Sequence, residues 1–414
     1  MRISPVTFGP RTCIRLCLAL FVLAGLTACS DSGRDSASEP SLQLLSEPKP
    51  ESADEFPTLL SDWGVLHVSK QELVPGSRSV AYDLNTPLFT DYAHKFRTLW
   101  VPKGKAATFD DEGMIQFPVG TIISKTFFYP REGEHLYFDR DETLDFGSKG
   151  LALDKVRLIE TRLLVHRPDG WQGLPYVWNE QQTEANLEIA GSAFELALYA
   201  GTSANGGARP AEPVHQFTYA VPDFNQCQGC HIEDLSTEKV RPIGLKPRHI
   251  NKAYAHMHEA ENQLAHFVQN GLLAESSQFP LAALPRNAKM DSREVSLNER
   301  ARSYLDINCG HCHNRAGAGD TSGLFLNIEE TDQLRLGVCK PPIAAGQGTG
   351  GRFVSIQPGK PDQSILSYRM ESLDLGAMMP ELGRATVHRE GVDLIKAWIE
   401  AMPGECNIEE VNLI

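Results

Sequence analysis

The chain has 414 residues, of which 39 are basic and 53 acidic, giving a formal net charge of −14. That balance argues against nucleic acid as a partner, because such binding rests on phosphate neutralisation by Lys and Arg. The chain is long enough for two or three domains.

Residues 1–28 read as an export signal. Arg2, Arg11 and Arg15 precede a short apolar core, Cys17 to Leu26, which is too short to stay in a membrane as a spanning helix. Leu26-Thr27-Ala28-Cys29 resembles the lipobox of bacterial lipoproteins, which implies cleavage before Cys29 and a lipid on its thiol. An ordinary signal cut near Ala28 is the alternative. Ser30 at the second position resembles lipoproteins sorted to the outer membrane. The expected location is therefore the periplasmic side of the envelope, on the outer membrane through an N-terminal lipid. Residues 29–55 are rich in Ser, Pro and acid and poor in apolar groups, so a flexible acidic linker is expected there.

Residues 56–220 are patterned for strands. TIISKTFFYP (Thr121 to Pro130) is β-branched and aromatic, and VRLIETRLLVHR (Val156 to Arg167) alternates in part, apolar at Ile159, Leu163 and Val165. Pro168-Asp169-Gly170 is a turn: Pro presets φ and Gly accepts a positive φ. WQGLPYVW (Trp171 to Trp178) then returns as the partner strand. A mainly-β domain, sandwich or barrel-like, is expected. Trp63, Trp100, Trp171 and Trp178 would line a ligand pocket or, more commonly, fill the core.

Two segments, CQGCH (Cys227 to His231) and CGHCH (Cys309 to His313), fit Cys-x-x-Cys-His, the attachment signature of c-type haem. On a helical turn, positions i, i+3 and i+4 share one face. Two thiols can then each form a thioether while the next imidazole reaches the iron from the same side. Two covalently attached c-type haems are expected, on Cys227, Cys230, Cys309 and Cys312, with His231 and His313 as proximal iron ligands. A four-Cys zinc ribbon would need a far shorter spacing than the 78 residues between Cys230 and Cys309. A thioredoxin-like pair would need a βαβ context.

The expected fold class is multidomain α+β. The β domain is followed by mainly-α haem domains of the cytochrome c type, a first haem segment at 221–290 and a second domain at 291–414. Asn251 is a possible N-cap of a helix running toward Ala274. SLNE (Ser296 to Glu299) is a capping box before the helix that leads to Cys309. REGVDLIKAWIEAMPG (Arg389 to Gly404) carries an apolar stripe that Pro403-Gly404 ends.

Met379 is the candidate sixth ligand of the second haem, with Met378 as its neighbour alternative. For the first haem His249, His256, His258, His266, Met257 and Met290 all stay open, as does a five-coordinate iron. With two cysteines in the signal, one lipidated and four in the motifs, Cys339 and Cys406 remain, and in an oxidising compartment such a pair is expected to form a disulfide.

The chain resembles a family of bacterial di-haem c-type cytochromes with an N-terminal β domain. The stretches that carry the resemblance include DLNTPLFTDYAHKFR (Asp83 to Arg97), FPVGTIISKTFFYP, VPDFNQCQGCH, ERARSYLDINCGHCHN, GVCKPPIAAG and MMPELG. The haem-bearing half is also similar to the haem tails of quinoprotein sugar dehydrogenases and to planctomycete-type cytochromes. The resemblance implies the thioether cysteines, proximal histidines and Met379 named above, and supplies no substrate. The expected function is a lipid-anchored periplasmic electron carrier between a dehydrogenase or small-molecule donor and a downstream acceptor such as another cytochrome. A di-haem peroxidase-like enzyme, with an open site at the first haem, is the alternative.

Overall fold

The strand-forming runs of residues 56–221 assemble mainly into one nine-stranded sheet. In chain order its strands are β1 (Val80–Tyr82), β2 (His94–Trp100), β3 (Ile122–Glu132), β4 (His135–Phe138), β5 (Val156–Arg167), β6 (Gly170–Trp178), β7 (Ala185–Leu187), β8 (Ser192–Ala200) and β9 (His215–Val221). The computed structural model describes residues 56–138, 150–201, 212–234, 236–255, 260–343 and 346–407. The expected signal, Cys29 and the linker lie outside them, as do His256, Met257 and His258.

β3 is the hub. It pairs antiparallel with β5 along one edge and with β2 along the other, and its last two residues turn back onto β4. The β5–β6 hairpin closes at Arg167 and Gly170, as the Pro-Asp-Gly turn dictates, and β7 continues that side. On the other side β8 pairs parallel with β4 and antiparallel with β9. The sheet is open and branched at β3.

Both of its faces are covered, so β3 and β5 carry apolar residues on both sides, interrupted by polar and charged groups such as Lys125, Glu160 and Arg162. One face (Phe96, Ile122, Leu163, Val165, Tyr176, Trp178) packs against a small sheet of Leu66–Ser69, Glu72–Pro75 and Leu151–Ala152. The other face (Leu99, Ile123, Leu164) packs against Ile250, Leu264, Phe267 and Ile307 from later in the chain. A register shift between Leu158 and Glu160 moves Ile159 into a separate cluster with Phe127, Tyr129 and Tyr219. A bulge inserts one residue, so the alternation of Ile159 with Leu163 and Val165 does not persist.

The α-helices described are α1 (Phe224–His231), α2 (Pro247–Ile250), α3 (Gln263–Gln269), α4 (Leu297–Asn308), α5 (Ile365–Glu371) and α6 (Arg389–Glu400). The expectation of mainly-α haem domains is therefore corrected. The protein is mostly β, and its C-terminal part consists of short helices joined by long irregular segments. The physical reason is composition: only the runs before Cys309 and before Pro403 keep a helical period over three turns, and Pro and Gly interrupt the rest.

The helix expected from Asn251 is likewise shorter. Ala253–Ala255 and Ala260–Asn262 pair as strands, and the N-cap of α3 is Asn262, which accepts from the Leu264 and Ala265 amides. At α4, Ser296 and Glu299 form the reciprocal capping box. α4, α5 and α6 share an apolar cluster that includes Tyr304, Leu305, Met370, Ile395 and Trp398.

The stretch from Asp83 to Arg97 is the joint between the sheet and the later chain. The Asn85 amide donates to the His249 carbonyl at 2.8 Å, and the Phe89 amide to Asn308 Oδ1 at 2.8 Å. Buried Asp91 accepts from the Ala385 and Thr386 amides at 2.8 and 2.7 Å. Cys339 and Cys406 are joined by a disulfide with a Cα–Cα separation of 5.3 Å.

Candidate functional site

A cavity of about 640 Å³ lies where the sheet face of Ile123 and Leu164 meets α1 and the turn after α4. Both Cys-x-x-Cys-His segments contribute to its wall.

The first segment is held by helix capping. Asp223 accepts from the Gln226 amide at 2.8 Å, and the Gln226 side chain accepts from the Asp223 amide at 3.1 Å. This reciprocal box starts α1, so Cys227, Cys230 and His231 fall on one helical face. Helix α1 lies close on β6: a Cβ on Gly173 would sit 2.9 Å from Cys227 Cβ. Only glycine permits that approach. His231 Nδ1 is 2.8 Å from the Arg241 carbonyl, which fixes the ring by an N–H donated from that nitrogen.

The second segment is a turn rather than a helix. α4 ends at Asn308 with Cys309 as its C-cap, and the Cys312 and His313 amides both donate to the Cys309 carbonyl. Cys312 and His313 thus follow Cys309 around a single turn. A Cβ on Gly319 would come within 2.9 Å of His313 Nδ1, so the loop after the motif closes directly over the ring. Met379 lines the cavity and Met378 does not, which separates the two methionines that the sequence leaves open.

The environment keeps these groups uncharged. Burial pushes the Cys309 and Cys312 thiols up to about 12 and raises those of Cys227 and Cys230. Burial, with the Lys125 ammonium second, holds His231 down to about 3, and burial also lowers His313. Protonated thiols are poor nucleophiles and poor metal ligands. The wall presents neutral sulfur and nitrogen to an apolar interior.

The expectation of two covalently attached c-type haems is corrected at this point. Among the described residues no three His, Cys, Asp or Glu side chains form a group that could hold a metal ion, which also removes the zinc-ribbon alternative. The physical reason is that the imidazoles are engaged singly. His231 bonds the Arg241 carbonyl, His249 Nε2 is held by Asp306 at 2.7 Å, His266 Nδ1 by Glu261, and His388 Nδ1 by the Tyr304 hydroxyl at 3.1 Å. Met290 packs in the apolar cluster of α4 and α6. The tryptophans go to the core: Trp63, Trp100 and Trp178 lie in the cluster under the small sheet, and Trp171 stacks on His166.

Sequence reasoning passed over a cationic row on the cavity's sheet wall. Arg97, Lys125 and Arg162 stand directly opposite one another on β2, β3 and β5, and all three line the cavity. Beside them Glu160, fully buried, accepts from Arg162 Nε and Nη2 at 2.8 and 2.5 Å and from the Tyr219 hydroxyl at 2.6 Å. The available signal was a basic residue in the interior of each of three strand-forming runs, where a cation is rarely buried without a partner.

No family model, no curated protein and no solved structure matches the chain.

Proposed function

We propose that this chain is an electron-transfer protein of the cell envelope, with the cavity as its redox site. The observation that carries this reading is convergence. Two Cys-x-x-Cys-His segments, separated by 77 residues of sequence, reach the wall of one largely apolar cavity, and Met379 joins them there.

A volume of about 640 Å³ suits a ligand of substantial size, since such sites commonly span ~300–1,000 Å³. An apolar shell excludes water and lowers the local dielectric, the levers by which a protein sets a bound group's potential. The best-supported occupant is a large, mostly apolar, redox-active ligand.

In this reading a periplasmic dehydrogenase or a small-molecule donor supplies electrons and another redox protein takes them. A lipid on Cys29 keeps the protein at the membrane, on the periplasmic side and at the outer membrane. The acidic net charge steers basic partners.

The test is a spectroelectrochemical titration, with native-mass analysis under which a non-covalent ligand stays bound, of the full chain purified from cells that export it. A reversible redox transition and a mass increment beyond the polypeptide and its lipid support the reading. An unmodified mass, with no reversible transition in the isolated protein, overturns it.

A further inference from the structure

The cationic row has the wrong chemistry for a wall that faces only apolar atoms. Like charges directly opposite on neighbouring strands repel. Two of the three cations are compensated: Arg97 pairs with Asp83 at 3.1 Å, and Arg162 is held by Glu160. Asp83 is itself shared with Lys252 at 2.6 Å, and Glu160 with the Tyr219 hydroxyl, so each carboxylate already serves donors other than Lys125. Lys125 stands between the two arginines. Among the described residues its ammonium has no hydrogen bond and no ion pair, only the Phe127 ring 5.1 Å away.

We infer that Lys125, flanked by Arg97 and Arg162, is an anion subsite of the cavity, and that the ligand is an amphipathic anion. Its apolar body lies along Ile123 and Leu164, and its negatively charged oxygen group meets the Lys125 ammonium. This rests on the reading of the cavity as a ligand site and adds the ligand's charge and its orientation. Burial, then the charges of Arg162 and Arg97, bring Lys125 down to about 7. An anion placed there removes both penalties by restoring the charged amine in a paired state. A fold that needed only an apolar wall would place an aliphatic residue here, as it does two positions earlier at Ile123.

The experiment uses two fluorescent probes with one ring system, anilinonaphthalene sulfonate and uncharged phenylnaphthylamine, titrated into the full chain. The expected result is preference for the sulfonate by about tenfold, the scale of one charge-assisted hydrogen bond. Lys125→Met should abolish that preference while leaving phenylnaphthylamine affinity unchanged, and Lys125→Arg should retain it. Thermal melting of Lys125→Met shows that the fold persists, because the substitution removes a cation from a repelling row.

Equal affinity of the wild-type chain for both probes overturns the inference. So does a Lys125→Met chain that keeps its preference for the sulfonate. If neither probe binds, the cavity is not a ligand site, and the reading beneath the inference falls with it.

Discussion

His249 Nε2 lies 2.7 Å from Asp306 Oδ2, and both side chains are buried. Asn287 donates to the same carboxylate oxygen at 3.1 Å, and the Ile328 amide donates to Oδ1 at 3.1 Å. One carboxylate therefore ties α2, the segment after α3, α4 and the loop after the second motif. Burial alone would raise the Asp306 carboxyl, but the His249 hydrogen bond and its companions hold it well below the ordinary range.

A depressed carboxyl stabilises the fold above its unfolded value of ~3.9, and that contribution is withdrawn as pH falls below it. Asp306→Asn should cost about 3–5 kcal/mol at neutral pH, the usual scale for breaking a buried pair. Urea unfolding across pH should show the gap between wild type and variant widest near neutrality and shrinking below about pH 4. A gap that stays constant with pH would contradict this.

Glu160 and Arg162 should behave as a unit. Glu160→Gln removes the carboxylate that compensates a buried guanidinium, at a cost of about 3–5 kcal/mol. The double change Glu160→Gln with Arg162→Met should be less destabilised than Glu160→Gln alone, because no uncompensated charge is left behind. Additive losses in a double-mutant cycle would refute the coupling.

Gly173→Ala forces a methyl group to within 2.9 Å of Cys227 Cβ, so α1 must lift from β6. Overpacking of this kind costs about 1–3 kcal/mol. The Cys227 thiol should also react faster with a maleimide reagent. Unchanged stability together with unchanged labelling would show that the close approach is not needed.

The Cys339–Cys406 bridge closes a loop of 67 residues around much of the C-terminal part. Replacing both cysteines by serine should lower the unfolding free energy by about 2–5 kcal/mol. A reducing agent should produce the same loss in the wild-type chain and none in the variant.

What could be read from the sequence was what local chemistry decides. The Pro168-Asp169-Gly170 turn fixes the β5–β6 register, Ser296 with Glu299 starts α4, and Pro403 follows the end of α6. Both Cys-x-x-Cys-His segments were plain as motifs. Their meeting on one cavity was not, because it depends on contacts with β2, β3 and β5 far away in the chain.

The bulge at Ile159 was also hidden, since one inserted residue changes a face without changing composition. The roles of Asn85, Phe89 and Asp91 were visible only as part of a resembling stretch. Their partners lie in segments whose placement follows from the tertiary fold and from no periodicity of their own.

The hydrogen bond between Asp91 and the Thr386 amide spans 295 residues of chain. At ~5–20 residues per second, the ribosome needs roughly 15–60 s to deliver the second partner after the first. For the first part of that interval, until Ile250 to Ile307 are made, the Leu99 and Ile123 face of β2 and β3 has nothing to cover it. Newly made chains are thus most prone to aggregate before Ile307 emerges, and a holding chaperone would act during that window. Truncation within the last 30 residues should reduce soluble yield far more than its small share of the length suggests.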